Sequence, residues 1–247
     1  MMIEDLRRRL VGERRALALL ALGFLTTLFV LVALAQGGAW AACFGALALT
    51  YGVAFFGLAS EWFWARWFAM GIASSGLTMA ALGLVTQGWN GALLVWGAFH
   101  LVIYAPLAGR EMSERYEMQE GWRKRYNLDD QAVLRIKRAV HSAATALPTL
   151  IFFTLAPKQD QMVHIALLGA GVLGFVGLLR MRFWGVLLLG ATAVGTFVSA
   201  WMTPSWMGSA SANGLSFPVA LVGLFAAVML SIAVAPFIRP AWRSLRG

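Results

Sequence analysis

Eight stretches of this chain, each of roughly the 20 residues needed to cross about 30 Å of hydrocarbon, contain no Asp, Glu, Lys or Arg. They are Ala16–Gln36, Trp40–Ser60, Trp67–Gln87, Trp89–Ala108, Ala139–Pro157, Met162–Leu179, Phe183–Met202 and Ser216–Ile238. Backbone polar groups inside a bilayer must be satisfied internally, so uninterrupted apolar runs of this length leave the helix as the only option. The expected fold is an all-α polytopic membrane protein with eight transmembrane helices. Composition agrees: 60% of residues are apolar and 13% charged, with a mean hydropathy of +0.72.

The net charge of +9 would suggest nucleic acid in a soluble chain, but here the basic residues sort by side. With the N-terminus inside, the clusters at Arg7–Arg9, Arg14-Arg15, Arg66, Arg110–Arg138, Arg180/Arg182 and Arg239–Arg246 all fall on the cytoplasmic face. Lys158 alone falls outside. Both termini are therefore expected in the cytoplasm and nucleic acid is not an expected partner; the bilayer of a cell inner membrane is. Tryptophans mark the same boundaries: Trp40, Trp89, Trp201 and Trp206 at the outer ends, and Trp62, Trp64, Trp67, Trp184 and Trp242 at the inner ends. Trp96 and Trp122 do not fit this scheme.

Five regions follow. Residues 1–15 read as a cytoplasmic interfacial helix, because Ile3, Leu6 and Leu10 recur opposite Glu4, Arg7 and Arg8. Residues 16–108 hold helices one to four, 109–138 a cytoplasmic helical linker, 139–238 helices five to eight, and 239–247 a tail. In the linker, Glu111/Arg115 and Glu120/Lys124 are i,i+4 pairs, so Glu111–Tyr126 reads as one solvated helix. Asn127–Asp130 reads as a turn and N-cap. Its charged residues Glu117, Glu120, Arg123, Lys124 and Arg125 make a candidate docking surface for a partner, with a plain linker as the other reading.

The halves on either side of this linker echo one another. Phe55, Gly57, Leu58, Phe63 and Trp64 recur 120 residues later as Phe175, Gly177, Leu178, Phe183 and Trp184. Helices four and eight end in Ala105-Pro106 and Ala235-Pro236, and Thr26 and Phe29 have counterparts in Thr149 and Phe152. Because four is even, such repeats would share one orientation, a 4+4 parallel pseudo-repeat. Chance alignment of apolar segments is the competing reading.

Candidate chemistry is sparse. Single Cys43 rules out an internal disulfide, and neither a metal-site cluster nor a serine-hydrolase, zinc-protease or phosphate-loop motif is present. Cys43 and His164 both fall near the outer face, where only Asp160 could complete a thiol site; an inert Cys43 is the expectation. Asp129-Asp130 is explained by capping. His100 is the one titratable side chain near the middle of a span, one turn before Tyr104, and with Trp96 forms the candidate ligand site. A bundle-facing imidazole hydrogen-bonded to a Ser, Thr or carbonyl on a neighbouring helix is the plainer account of His100. Small residues, among them Gly71, Ser75 and Gly76 on helix three and Gly169–Gly177 on helix six, read as close-packing surfaces. Pro148 and Pro218 read as kinks.

Arg66-Trp67, Ser74-Ser75, Ala92-Leu93-Leu94 and Glu111 resemble, in type and spacing, part of helices three and four of the heliorhodopsin family. The resemblance would imply retinal held as a Schiff base by a lysine in a late helix. The chain departs from that pattern: Lys124, Lys137 and Lys158 lie in loops or at helix ends, Ala69 stands at the counterion position, and eight spans replace seven. A retinal Schiff base is thereby excluded and no cofactor is expected.

The functional expectation is a non-catalytic membrane subunit or permeation module for an uncharged or lipid-like ligand, as a homo-oligomer or in a hetero-complex. Two alternatives stand beside it: a structural or sensory subunit docking a partner through residues 110–138, and a membrane enzyme or haem- or pigment-binding protein using His100.

Overall fold

The computed structural model describes residues 10–157, 161–202, 209–212 and 215–244. The interfacial helix expected around Ile3 and Leu6, the outer-loop Lys158 and Asp160, Trp206 and the final residues of the tail lie outside them. Within the described residues the chain is a helical membrane protein. In order, the elements are α1 Val11–Ala35, α2 Gly38–Ala59, α3 Ala65–Gln87, α4 Gly91–Leu107, α5 Arg110–Glu117, α6 Glu120–Tyr126, α7 Asp130–Leu155, α8 Gln161–Leu179, α9 Phe183–Met202 and α10 Val219–Ser244. A short antiparallel hairpin, β1 Ser209–Ala212 and β2 Leu215–Pro218, precedes α10.

Six of these helices are long and apolar enough to cross a membrane: α1, α2, α3, α8, α9 and α10. The two other expected spans differ for physical reasons. Helix α4 has 17 residues, and the chain then bends by 72° into α5. Helix α7 is long, but much of it is Ala, Ser and Thr, because it is the hub against which α2, α3, α8 and α10 pack. A helix enclosed by other helices needs small side chains more than apolar ones. On the lipid-facing side the pattern reverses, with Leu34 78%, Val85 83% and Met162 82% exposed. Large apolar groups turned outward on every peripheral helix are what a hydrocarbon solvent demands.

The helices form two closed rings of four. In the first, α1 packs on α2, α2 on α3, α3 on α4, and α4 back on α1; in the second, α7 to α10 close the same way. The rings meet mainly through α7, which lies against α3 and α2.

The structure redraws several expected boundaries. Residues 11–15 are the first turn of α1, so the interfacial segment does not extend to Arg15. As the turn and N-cap at Asn127–Asp130 imply, Asp129 caps α7, its carboxylate accepting from the Ala132 N–H, and residues 131–138 run on into the fifth expected span. Pro218 ends β2, so the last helix begins at Val219 and not at Ser216.

The linker also departs from one solvated helix: it breaks at Met118-Gln119 into α5 and α6, and α5 turns inward. Met112 and Tyr116 are fully buried, and the Tyr116 hydroxyl donates to the Leu58 carbonyl at 3.1 Å. The expected Glu111/Arg115 pair is replaced by tertiary ones, Glu111 with Arg14 and Arg115 with Glu61. These side chains are near enough to the bundle to prefer partners fixed by tertiary structure over flexible neighbours on their own helix.

Candidate functional site

Two cavities lie along one group of helices, one inside the first ring and one at its inner end. The first, of about 470 Å³, is lined from α1, α2, α3, α4, α7 and α10. Its walls are apolar: Phe29, Phe44, Leu47, Met79, Leu93 and Trp96. Phe29 anchors one side, its ring centroid 5.1 Å from that of Tyr51 and 5.8 Å from that of Trp96. Pro148 of α7 also reaches this space, and its missing N–H leaves the turn before it without one helical bond.

Polar groups at the cavity are few, and one stands apart. Hydroxyls elsewhere in the bundle fold back on the carbonyl one turn earlier: Thr26 on Leu22, Thr50 on Ala46, Ser74 on Met70 and Thr145 on His141. That is how a hydroxyl is made tolerable in hydrocarbon. Ser75 is among the residues bordering the cavity, is fully buried, and its Oγ has no hydrogen-bond partner. An unpaired buried hydroxyl costs about 1–3 kcal/mol, which a ligand oxygen at that point would recover. Thr196 Oγ1 is also unpartnered but lines neither cavity.

His100 is behind this lining. It is fully buried, its Nδ1 is 2.8 Å from the Trp96 carbonyl and its Nε2 is 2.6 Å from the Tyr51 hydroxyl. A carbonyl only accepts, so Nδ1 carries the proton and the Tyr51 O–H donates to Nε2. Both ring nitrogens are thus engaged within the protein, though by a tyrosine of α2 and a carbonyl of the imidazole's own helix, in place of the expected Ser, Thr or carbonyl across the interface. Gly76 of α3 makes room for the ring: a methyl group there would fall inside the imidazole. The expected trio is therefore divided. Trp96 lines the first cavity, His100 packs behind it, and Tyr104 lines the second. Tyr51, which sequence reasoning missed, holds His100 in place; its only signal was an unexplained tyrosine in the middle of a span.

The second cavity, of about 690 Å³, opens where the inner ends of α3, α4, α7 and α10 meet. It is lined by Arg66, Arg135, Lys137, Arg138 and His141, with Trp67, Tyr104 and an apolar rim of Met70, Leu134, Ile232 and Pro236. Arg66, 4% exposed, is the keystone. Its Nε donates to the Leu107 carbonyl at 2.8 Å, a second nitrogen reaches the Gly109 carbonyl, and it pairs with Glu117. Arg14 serves the same helix end, donating to the carbonyls of Pro106 and Ala108. Two arginines thus satisfy the carbonyls left open where α4 stops, and fix the bend into α5.

Glu117 is consequently an internal counter-ion. It accepts from Trp67 Nε1 at 2.8 Å and from Lys137 Nζ at 3.1 Å, and pairs with Arg66. Burial raises its pKa, but the bonds from Trp67, Ser113 and Lys137 and the Arg66 charge outweigh burial and hold the carboxyl below its ordinary value. Glu61 is held down chiefly by its hydrogen bond from Arg115; burial opposes, and the charges of Arg15 and Arg115 assist. Of the other candidate docking residues, Arg123 pairs with Asp130, Arg125 lies 5.8 Å from the Trp122 and Tyr126 rings, and Lys124 is exposed on α6. The side chain of Glu120 lies outside the described residues. Trp122, which marks no membrane boundary, packs on Phe63 and Tyr126 instead.

At the end of the bundle away from the basic clusters, Cys43 is buried and free on α2, while His164 of α8 bonds to Ser199. The two belong to different rings and make no common site. Among the described residues no group of His, Cys, Asp or Glu has the makings of a metal site. The chain matches no protein-family model, no characterised protein and no solved structure.

Proposed function

We propose that this multi-pass membrane protein is a non-catalytic module that holds or passes an uncharged, lipid-like ligand, and that the cavity inside its first ring is the site. The observation that carries this reading is Ser75: a buried hydroxyl without a hydrogen-bond partner, on a residue that borders a mostly apolar space of about 470 Å³. Ligand sites combine a mostly apolar lining with a few placed polar groups, within about 300–1,000 Å³. A neutral amphiphile with one acceptor or donor oxygen matches that description; an ion does not.

The topology of eight spans, with both termini in the cytoplasm of a cell inner membrane, belongs to the same proposal. It rests on the sidedness of the basic residues, on α7 running among the long apolar helices, and on α4 packing along α1 and α3 with Leu94, Val95 and Leu101 turned outward. The second cavity continues along α3, α4, α7 and α10, so a route between the two would need movement only of the intervening layer, where Gly71 lies on the α7 backbone.

The test is quenching of tryptophan fluorescence by a bromine-labelled long-chain alcohol. A saturable component is expected in the native chain, absent in Trp96→Phe and weakened in Ser75→Ala. Equal saturable quenching in all three would overturn the reading.

The docking alternative keeps one specific support, the exposed Lys124 beside Arg123 and Arg125 on α6. Co-purification of a stoichiometric second polypeptide that is lost on charge reversal at these three residues would favour it. His100 enters neither reading, since its lone pair is already used by Tyr51.

A further inference from the structure

From the cavity at the inner end of the bundle we infer a binding site for the phosphate headgroup of an anionic phospholipid. On α7, Leu134, Arg135, Lys137, Arg138, His141 and Ser142 follow the three-and-four spacing that ordinarily turns an apolar stripe toward a core. Here that stripe carries three cations, and all three line the cavity.

Charge balance shows that they are not there for an internal partner. Among the described residues, four cations line the space, Arg66 being the fourth, and no carboxylate does. Glu117 behind the wall answers two of them, Arg66 and Lys137, with a single negative charge. Arg135 bonds only to its own helix, at the Gln131 carbonyl, and Arg138 is exposed at the mouth. The cavity therefore carries an unanswered positive charge facing a space large enough for a headgroup.

The rim identifies the source of the anion. Leu134 and Ile232 stand on facing helices, 47% and 45% exposed, and Met70, Ala235 and Pro236 continue the apolar surface. A free phosphate would gain nothing from these groups, whereas an acyl chain leaving the headgroup would lie against them. Basic pockets between spanning helices on the cytoplasmic side are suited to acidic lipid headgroups for this reason. The site is independent of the uncharged ligand proposed for the first ring: it uses different residues, and neither result decides the other.

The experiment is native mass spectrometry of the full chain in mild detergent with phosphatidylglycerol, phosphatidylcholine or inorganic phosphate added. Retention of phosphatidylglycerol over phosphatidylcholine is expected. Arg135→Gln with Arg138→Gln removes two charges without breaking an ion pair, and is expected to reduce that preference about thirtyfold, about fivefold per charge. Arg180→Gln with Arg182→Gln removes the same charge from the α8–α9 turn and is expected to leave it unchanged. Equal retention of the two lipids, an equal loss in the Arg180/Arg182 variant, or displacement of phosphatidylglycerol by millimolar inorganic phosphate would each overturn the assignment.

Discussion

Replacing Glu117 by Ala should be among the most damaging single changes at the inner end of this protein. The side chains of Glu117 and Arg66 are 9% and 5% exposed, so their pairing is largely shielded from solvent. Removing one partner of such a pair costs about 3–5 kcal/mol, because the remaining charge is left buried without an answer. Two features pull the figure toward the low end. Arg66 keeps its carbonyl acceptors at Leu107 and Gly109, and Lys137, 36% exposed, can turn to water. Trp67 Nε1 also loses its acceptor, which works the other way. About 3 kcal/mol is therefore expected, a shift of more than a hundredfold in the unfolding equilibrium.

The assay is reversible unfolding in mixed micelles with increasing dodecyl sulfate, followed by circular dichroism. Glu117→Gln, which keeps an acceptor and loses the charge, should cost less. A Glu117→Ala protein within about 1 kcal/mol of the native one would refute the reasoning and assign the anchoring of α4 to the carbonyl contacts alone.

Gly76→Ala should destabilise by at least the 1–3 kcal/mol typical of overpacking, because the new methyl meets the His100 ring held by Tyr51; the same unfolding titration checks this. Met181→Gly should stabilise by about 1 kcal/mol, since Met181 occupies the left-handed region at φ 56°, whereas Glu61→Gly at φ 55° should lose that gain with its pairs to Arg15 and Arg115. Stability should fall with acid below the ordinary glutamate value of 4.5: both Glu61 and Glu117 have lowered values in the folded chain, so their contribution is complete above that pH and is lost as pH drops through the folded values. A pH series on Glu61→Gln with Glu117→Gln should be flatter in that range. Ser75→Ala should be neutral or stabilising in the absence of ligand, as it removes an unpaired hydroxyl, while weakening quenching by the bromine-labelled alcohol.

The membrane character and most helix positions were legible because one physical demand, continuous apolar length, governs them residue by residue. Phe183–Met202 and the turn at Arg180–Arg182 are as read from the sequence. What was not legible depended on tertiary partners. Glu111 and Arg115 satisfy a helical pairing rule equally well, yet each has a better-fixed partner in Arg14 and Glu61. The amphipathic stripe of α5, with Met112 and Tyr116 on one face, was the available sign that this linker packs inward, and the density of charge around it hid that sign. At the sites, His100 was conspicuous as the one titratable group in mid-span, but conspicuousness reports cost and not availability: the cost is met by Tyr51 and Trp96. The basic stripe of α7 was visible as charge and was credited to membrane sidedness, which accounts for the end of the bundle it occupies but not for the face of the helix.

The recurrence at an offset of 120 residues is where sequence and structure reinforce each other. Leu58, Glu61, Trp62 and Gly57 make one turn; Leu178, Met181, Arg182 and Gly177 make the other. In each the last residue named offers its carbonyl to an N–H five residues on, Trp62 to Gly57 at 3.0 Å and Arg182 to Gly177 at 2.9 Å. In each the residue before that donor, Glu61 or Met181, is left-handed without being glycine. In each the ring of the following Trp64 or Trp184 lies over the glycine. This is the Schellman ending, and two copies with the same strained residue and the same covering tryptophan are harder to obtain by chance than two apolar helices. The rings themselves repeat the neighbour order, but their junction does not: α7 packs on α3, while α1 and α9, the pair in the reciprocal position, have no comparable contact. Two four-helix rings joined through one off-centre helix stand in unequal surroundings. Both cavities border the first ring and α7, so the asymmetry of the junction decides which half has room for a ligand.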